Sequence, residues 1–324
     1  MQGLDKREAQ ATWPDLVAQA DGLDEAAVAE QTARHLDLFA SPQAELDLVA
    51  PALPIWVPEL RGVPNALVRG ALFNAAKTTK DSRREYFHNK QVRTPNGTKI
   101  EYRGEELRQD DLSVFMTILH FGRHVSLGQP IYFSAYQMLK ELGWSLNKAE
   151  YAHLRDCCGR LSATNVSVTH TNGFEGYAGS LVRGFAWKDN RDEMLSRWYV
   201  LLEPAIVSLF ADNTYTLLEW AERKEIGGRS PLALWLHSFL ATHKPPKPLS
   251  VKHYYEMSQS RAVSFPDFRR RLKQALARLV EIGFLRSYAL VDDCVHVERM
   301  PKSYQRPLLP GAAPAAELDA ADAD

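Results

Sequence analysis

From Pro54 onward the apolar and polar positions fall into periodic blocks separated by glycine and proline. Residues 85–93 (EYFHNKQVR) and 98–103 (TKIEYR) flank Pro95-Asn96-Gly97, a turn sequence between two β-rich runs, and predict a hairpin. In DDLSVFMTILHFGRHV, which follows, Leu112, Phe115, Ile118 and Leu119 share one helical face, and Asp110 and Asp111 suit a helix start. A connection through Gly128 and Pro130 leads to FSAYQMLKELGW, a helix expected to stop at Gly143. A third helix begins almost at once, with Asn147 and Glu150 as a capping pair and Tyr151, Leu154, Cys158 and Leu161 on its buried face. Beyond it NVSVTH and SLVRGFAW are β-rich runs joined by a glycine-containing loop. They are expected to form a hairpin ahead of RWYVLLEP.

The same order of elements comes round again between Ser230 and Arg299. Ser230-Pro231 opens the helix PLALWLHSFLATH, which Pro245-Pro246 stops. VKHYYEMS is a short second helix. Ser264, with Asp267 in the first turn, then caps a long third one whose stripe is Phe268, Leu272, Ala275 and Leu279. Gly283 ends it, and FLRSYALV and CVHVER follow as a hairpin turning near Asp292-Asp293. Helix, tight turn, helix, then a hairpin is the order of the winged helix-turn-helix. The expected fold is therefore α+β: two tandem winged-helix domains, 54–225 and 226–300, between a flexible N-terminal arm, 1–53, and a disordered C-terminal tail, 301–324. The arm is acidic and ends in a run of prolines, and the tail from Pro307 is of low complexity.

Charge sharpens this picture. The formal net charge is −1, but residues 1–50 hold three Lys/Arg against ten Asp/Glu, and 311–324 hold four acids and no base, which leaves +10 for 51–310. Within that span, residues 229–300 carry twelve Lys/Arg against six acids. A basic body with acidic ends suits a protein that binds a polyanion. No uninterrupted apolar run is long enough to span a bilayer, the first residues carry no secretory pattern, and the three cysteines form no CxxC. A cytoplasmic protein without a membrane partner is the expectation.

Catalytic motifs do not emerge. Gly97-Thr98-Lys99 lacks the upstream glycine of a phosphate-binding loop, and GxGxxG, HExxH and GxSxG do not occur. The histidines His153, His237 and His243 are scattered. Asp110-Asp111 and Asp292-Asp293 suit a helix start and a turn, and Cys157-Cys158 suits helix packing. The expectation is a protein that is not an enzyme and carries neither cofactor nor metal.

Basic residues off the apolar stripes supply the candidate DNA contacts. In the long third helix of the second domain these are Ser264, Arg269, Arg270, Arg271, Lys273 and Arg278, the principal reader. The corresponding helix of the first domain offers Asn147, Lys148, His153, Arg155 and Arg160, moderated by Glu150 and Asp156, and its wing adds Arg183 and Lys188. A further basic stretch, Lys77, Lys80, Arg83 and Arg84, suits a grip on phosphates.

Several runs resemble one known family, the TrfA-type plasmid replication initiators: PNALVRGALFNAAK (64–77), IEYRGEELRQDD (100–111) and QPIYFSAYQMLKELGWSLN (129–147). LSAT (161–164), PAIVSLFADNTYT (204–216) and DDCVHVER (292–299) follow in matching order. The resemblance covers about residues 54–300, with divergent segments between the runs. It implies binding to direct repeats (iterons) of double-stranded DNA at a plasmid origin, in a bacterial, plasmid-encoded protein. It also implies opening of adjacent AT-rich DNA, and recruitment of the host initiator and the replicative helicase. Such initiators bind as monomers on DNA and form homodimers off it. The family carries a sliding-clamp-binding peptide, Gln-Leu-Ser/Asp-Leu-Phe, before its first domain; His35-Leu36-Asp37-Leu38-Phe39 has that form with His for Gln. Glu45-Leu46-Asp47-Leu48-Val49 is a second near-match without the aromatic. Readings left open by the residues are a transcriptional repressor or copy-number regulator, a nicking enzyme, and a pure protein adaptor.

Overall fold

Where the chain alternates, it pairs; where its apolar positions recur every three or four residues, it coils. The computed structural model describes residues 51–77, 83–92, 94, 98–170, 176–188, 194–211, 214–243 and 246–300. β1 (Leu60–Pro64) leads through a single helical turn, α1 (Asn65–Val68), to the short β2 (Phe73–Asn74). The predicted hairpin forms from β3 (Tyr86–Val92) and β4 (Thr98–Glu105), antiparallel, and β5 (Leu107–Arg108) runs parallel to β2 before α2 (Gln109–Gly122).

Buried residues lie all round α2: beyond the four expected, Val114, Met116 and Thr117 are also sealed from solvent. It is the central helix rather than a half-exposed one, as a helix apolar on every side must be. β6 (Pro130–Phe133) follows, then α3 (Ala135–Leu142), whose Ser134 accepts the Gln137 amide at 3.0 Å. Gly143, at φ 71°, turns the chain in a left-handed conformation that a side chain would resist. Asn147 then caps α4 (Lys148–Ser162) by accepting the Glu150 amide.

After α4 the predicted hairpin does not form. β7 (Asn165–His170) pairs with β4 on one side and with β8 (Tyr177–Gly179) on the other, completing a four-stranded sheet with β3. The hairpin of this region is instead β9 (Gly184–Lys188) with β10 (Met194–Leu201), and β6 lies on the far side of β10. Alternation marks a strand, but its partner is set by topology, and NVSVTH finds the distant β4. A 3₁₀ turn (Pro204–Phe210) leads to β11 (Tyr215–Glu219), which pairs with β1, and to α5 (Trp220–Ile226).

The second set repeats the order. α6 (Pro231–Ala241) is followed by β12 (Leu249–Ser250), α7 (Val251–Ser258), α8 (Phe265–Glu281), β13 (Leu285–Val291) and β14 (Cys294–Arg299). Ser250 and Ser264 cap α7 and α8, each accepting an amide three residues on. Asp292 and Asp293, at φ 48° and 61°, make the tight turn of the β13–β14 hairpin. In both sets the strand between first and second helices pairs with the last strand, giving sheet orders β6-β10-β9 and β12-β14-β13.

One apolar core joins the two sets, from Leu53 to Val295. The Trp235 indole of α6 donates to the Gly70 carbonyl at 3.1 Å. Arg223 of α5 is buried at the seam. Its guanidinium donates to Gln109 and Ser113 of α2 and to Leu234 and Ser238 of α6, and burial pushes its pKa down to about 9.

Candidate nucleic-acid interface

α8 owes its position to Phe268, Leu272, Leu276 and Leu279, all fully buried, with Ala275 beside them. At 100° per residue, Arg270 lies opposite that stripe, with Lys273 and Gln274 on either side of it. Arg270 is 62 % exposed, Arg269 44 % and Arg271 40 %. Lys273 is exposed too, so four of the expected contacts form one outward, cationic surface, while the exposed Ser264 is occupied by its capping bond.

Internal partners tune this surface. Asp267 holds Arg270 at 2.7 Å and Arg271 at 2.8 Å. The hydrogen bond from Arg270, with the charge of Arg271 beside it, keeps the Asp267 carboxyl below its ordinary range. Arg269 reaches Asp293 at 3.0 Å and so ties the hairpin turn to the helix. Arg278 is the exception on α8: it donates to the Glu225 carbonyl and pairs with Glu281 at 2.8 Å, which makes it a tie to α5 rather than a contact for a ligand.

α4 presents a different face. Lys148 and Arg155 are exposed, with Asp156 beside Arg155 at 3.8 Å, so its outward charge is nearly balanced. Asn147 is occupied by its capping bond. Two expected contact residues turn out to belong to the interior. Arg160, 11 % exposed, reaches Asp111 at 2.9 Å; Arg84, 7 % exposed, reaches Asp111 at 2.6 Å and Asp110 at 2.7 Å. His153 is half-buried, 3.1 Å from Asp110 and stacked on Trp144. The correction has a plain cause: buried carboxylates at the start of α2 demand compensating charge, and these three residues supply it. Arg83, Lys77 and Arg183 are exposed, whereas Lys80 and the Lys188 side chain lie outside the described residues, as do residues 35–39.

Charges and burial act against each other throughout this cluster. Burial works against the Asp110 carboxylate, but the hydrogen bond from His153 and the charges of Arg84 and Arg160 overcome it and hold its pKa well below the usual range. Asp111, fully buried, is pushed the other way by burial and by the Asp110 charge. Burial is the largest influence on His153 and lowers it, but the Asp110 hydrogen bond together with the charges of Asp110 and Asp111 outweighs it, and the net shift is upward. Oxygen, nitrogen and sulfur atoms of Asp110, His153 and Cys157 lie within 4.8 Å of one another, a grouping that sequence reading missed. The spacing of His153 and Cys157, one helical turn apart, was its only local signal. Burial keeps the Cys157 thiol protonated, and Arg160 sits 3.2 Å from its sulfur, so positive charge already stands where a cation would. No helix of the described residues is long and apolar enough to cross a membrane.

The cationic face of α8, fronted by a hairpin and carried on a shared core, is a surface of the kind that DNA-binding proteins present to a duplex. The family described as TrfA protein matches residues 16–299. Over 289 residues the chain is 30% identical to the plasmid replication initiator protein TrfA of Escherichia coli, covering 88% of this chain and 72% of that one. The chain belongs to the TrfA family. Among solved structures, domains 2 and 3 of RctB align at a TM-score of 0.49 and 13% identity, covering 73% of this chain and 99% of that one. A second RctB structure, residues 155–483, aligns at 0.43 and 12% identity over 65% of this chain and 87% of that one.

Proposed function

We propose that this protein initiates plasmid replication by binding iteron repeats in duplex DNA at an origin. It binds through two winged-helix domains, 54–225 and 226–300, and catalyses no covalent step itself. The carrying observation is the recurrence of one element order and one strand order, with the third helix of the second set cationic on its outward face. A helix about 10–12 Å across fits the roughly 12 Å major groove, where arginine pairs with guanine through two hydrogen bonds. On this reading α8 enters the groove and Arg270 reads bases. α4, its charge balanced, contributes position more than affinity. The protein binds its repeats as a monomer, dimerises when off DNA, helps open the neighbouring AT-rich duplex, and gathers the host initiator and replicative helicase.

Arg270→Ala is the test. Affinity for the repeat duplex should fall by about 10- to 100-fold, and affinity for a scrambled duplex far less. An equal loss on both duplexes would place Arg270 on phosphates and remove α8 from base reading. The arm contributes a second contact, with Leu38 and Phe39 inserted into an apolar pocket of the sliding clamp. Changing both to Ala should abolish clamp binding in a pull-down while repeat affinity stays constant. Equal clamp binding by both forms would refute that assignment.

A further inference from the structure

At the start of α6 the fold leaves a cavity of about 320 Å³. Its walls are the first turn of α6 (Ser230–Ala233), the flank of α8 that carries Arg270 and Arg271, and Lys77, Arg229 and Ser260. Four cationic side chains border it and no carboxylate does among the described residues; Asp267, which holds Arg270 and Arg271, is not part of the lining.

Two independent features give this space a chemical preference. α6 runs for eleven residues and opens with Ser230, which makes no side-chain cap, and Pro231, which has no N–H. The amides of Leu232 and Ala233 therefore face the cavity end of the helix without a capping oxygen, at the positive pole of its dipole. Ser260, from the turn before α8, is only 4 % exposed, and its hydroxyl finds no hydrogen-bond partner among the described residues. A buried donor left unsatisfied is costly to a fold, and an anion in the cavity would satisfy it. Uncapped amides, an unpartnered hydroxyl and guanidinium groups together match the oxygens of a phosphate.

We propose that this cavity seats a phosphate group, and that its occupant is a backbone phosphodiester of the duplex read by α8. The proposal rests on the reading of α8 as the DNA-facing helix. Arg270 stands at the boundary between the outward face and the cavity, so a strand whose bases meet that face runs its backbone past Arg229 and the start of α6. The seat fixes register without specifying sequence.

The test uses the full-length protein with repeat and scrambled duplexes across a salt series. Ser260→Ala should lower affinity for both duplexes by about tenfold at fixed salt, with an unchanged salt slope and a melting temperature equal to or above that of the parent. Arg229→Gln should reduce the slope of log affinity against log salt by about one, again on both duplexes. Parental binding by both variants would overturn the proposal. So would protection of the parent, but not of Ser260→Ala, by inorganic phosphate in a melting experiment when DNA binding is unaltered, because the occupant would then be a free anion. If the parent shows no preference for repeats while Arg229→Gln still lowers the slope, the seat stands and the origin reading falls.

Discussion

Asp111 takes Arg84 from 27 residues upstream and Arg160 from 49 downstream, and nothing local in the chain announces either. A basic residue off an apolar stripe reads as a surface cation until its partner is known, which is why Arg84, Arg160 and His153 look like DNA contacts in the sequence. The pairing has a consequence for pH. His153 is raised, against its burial, by its bond to Asp110 and the charges of Asp110 and Asp111, so its contribution to stability is fully present below the unfolded imidazole value of 6.5 and fades as pH rises through the higher folded one. His120 behaves in the opposite sense: burial and the neighbouring Arg61 push it down to about 3, so it folds neutral. Comparison with His153→Gln isolates the first effect. As pH rises above about 6.5 the denaturation midpoint of the parent should fall relative to the variant. Parallel curves would show that the Asp110–His153 bond does not govern this window.

Helices and their caps were legible because their determinants are local. Asn147, Ser264, Gly143 and Gly283 sit where the sequence places them, and the β13–β14 hairpin turns at Asp292-Asp293 as read. Strand partners were less so. β7 lies in the expected segment but joins β4 across more than sixty residues of chain (Asn165 opposite Arg103), leaving β9 and β10 to form the hairpin. Strand identity follows from alternation, whereas partner choice follows from what the rest of the fold leaves open. At the same scale, Asp267 restrains α8, the helix proposed to read the duplex. It pairs with both Arg270 and Arg271, and on that proposal those pairs loosen as the arginines meet DNA. Asp267→Asn should raise affinity for repeat and scrambled duplexes alike, by up to about tenfold at low salt. A weaker complex would instead assign Asp267 a positioning role in the bound state.

Across the molecule, the charge that looked neutral in sum is partitioned: acidic ends, a basic body, and within that body one strongly cationic helix. The sequence revealed the partition. It could not reveal that several of those cations face inward, nor that Arg223 would be buried at the seam, where its guanidinium bonds α2 to α6 through carbonyl, amide and hydroxyl oxygens. Such a tie makes the relative placement of the two sets of elements part of the fold, as the proposal that α8 and the start of α6 act on a single duplex requires. The most direct measurement is the affinity of the full-length protein for an origin-repeat duplex against a scrambled one, from low to moderate salt. The account predicts a preference of roughly a thousandfold or more for the repeat, with affinity falling steeply as salt rises. Equal, weak binding to both duplexes would contradict it.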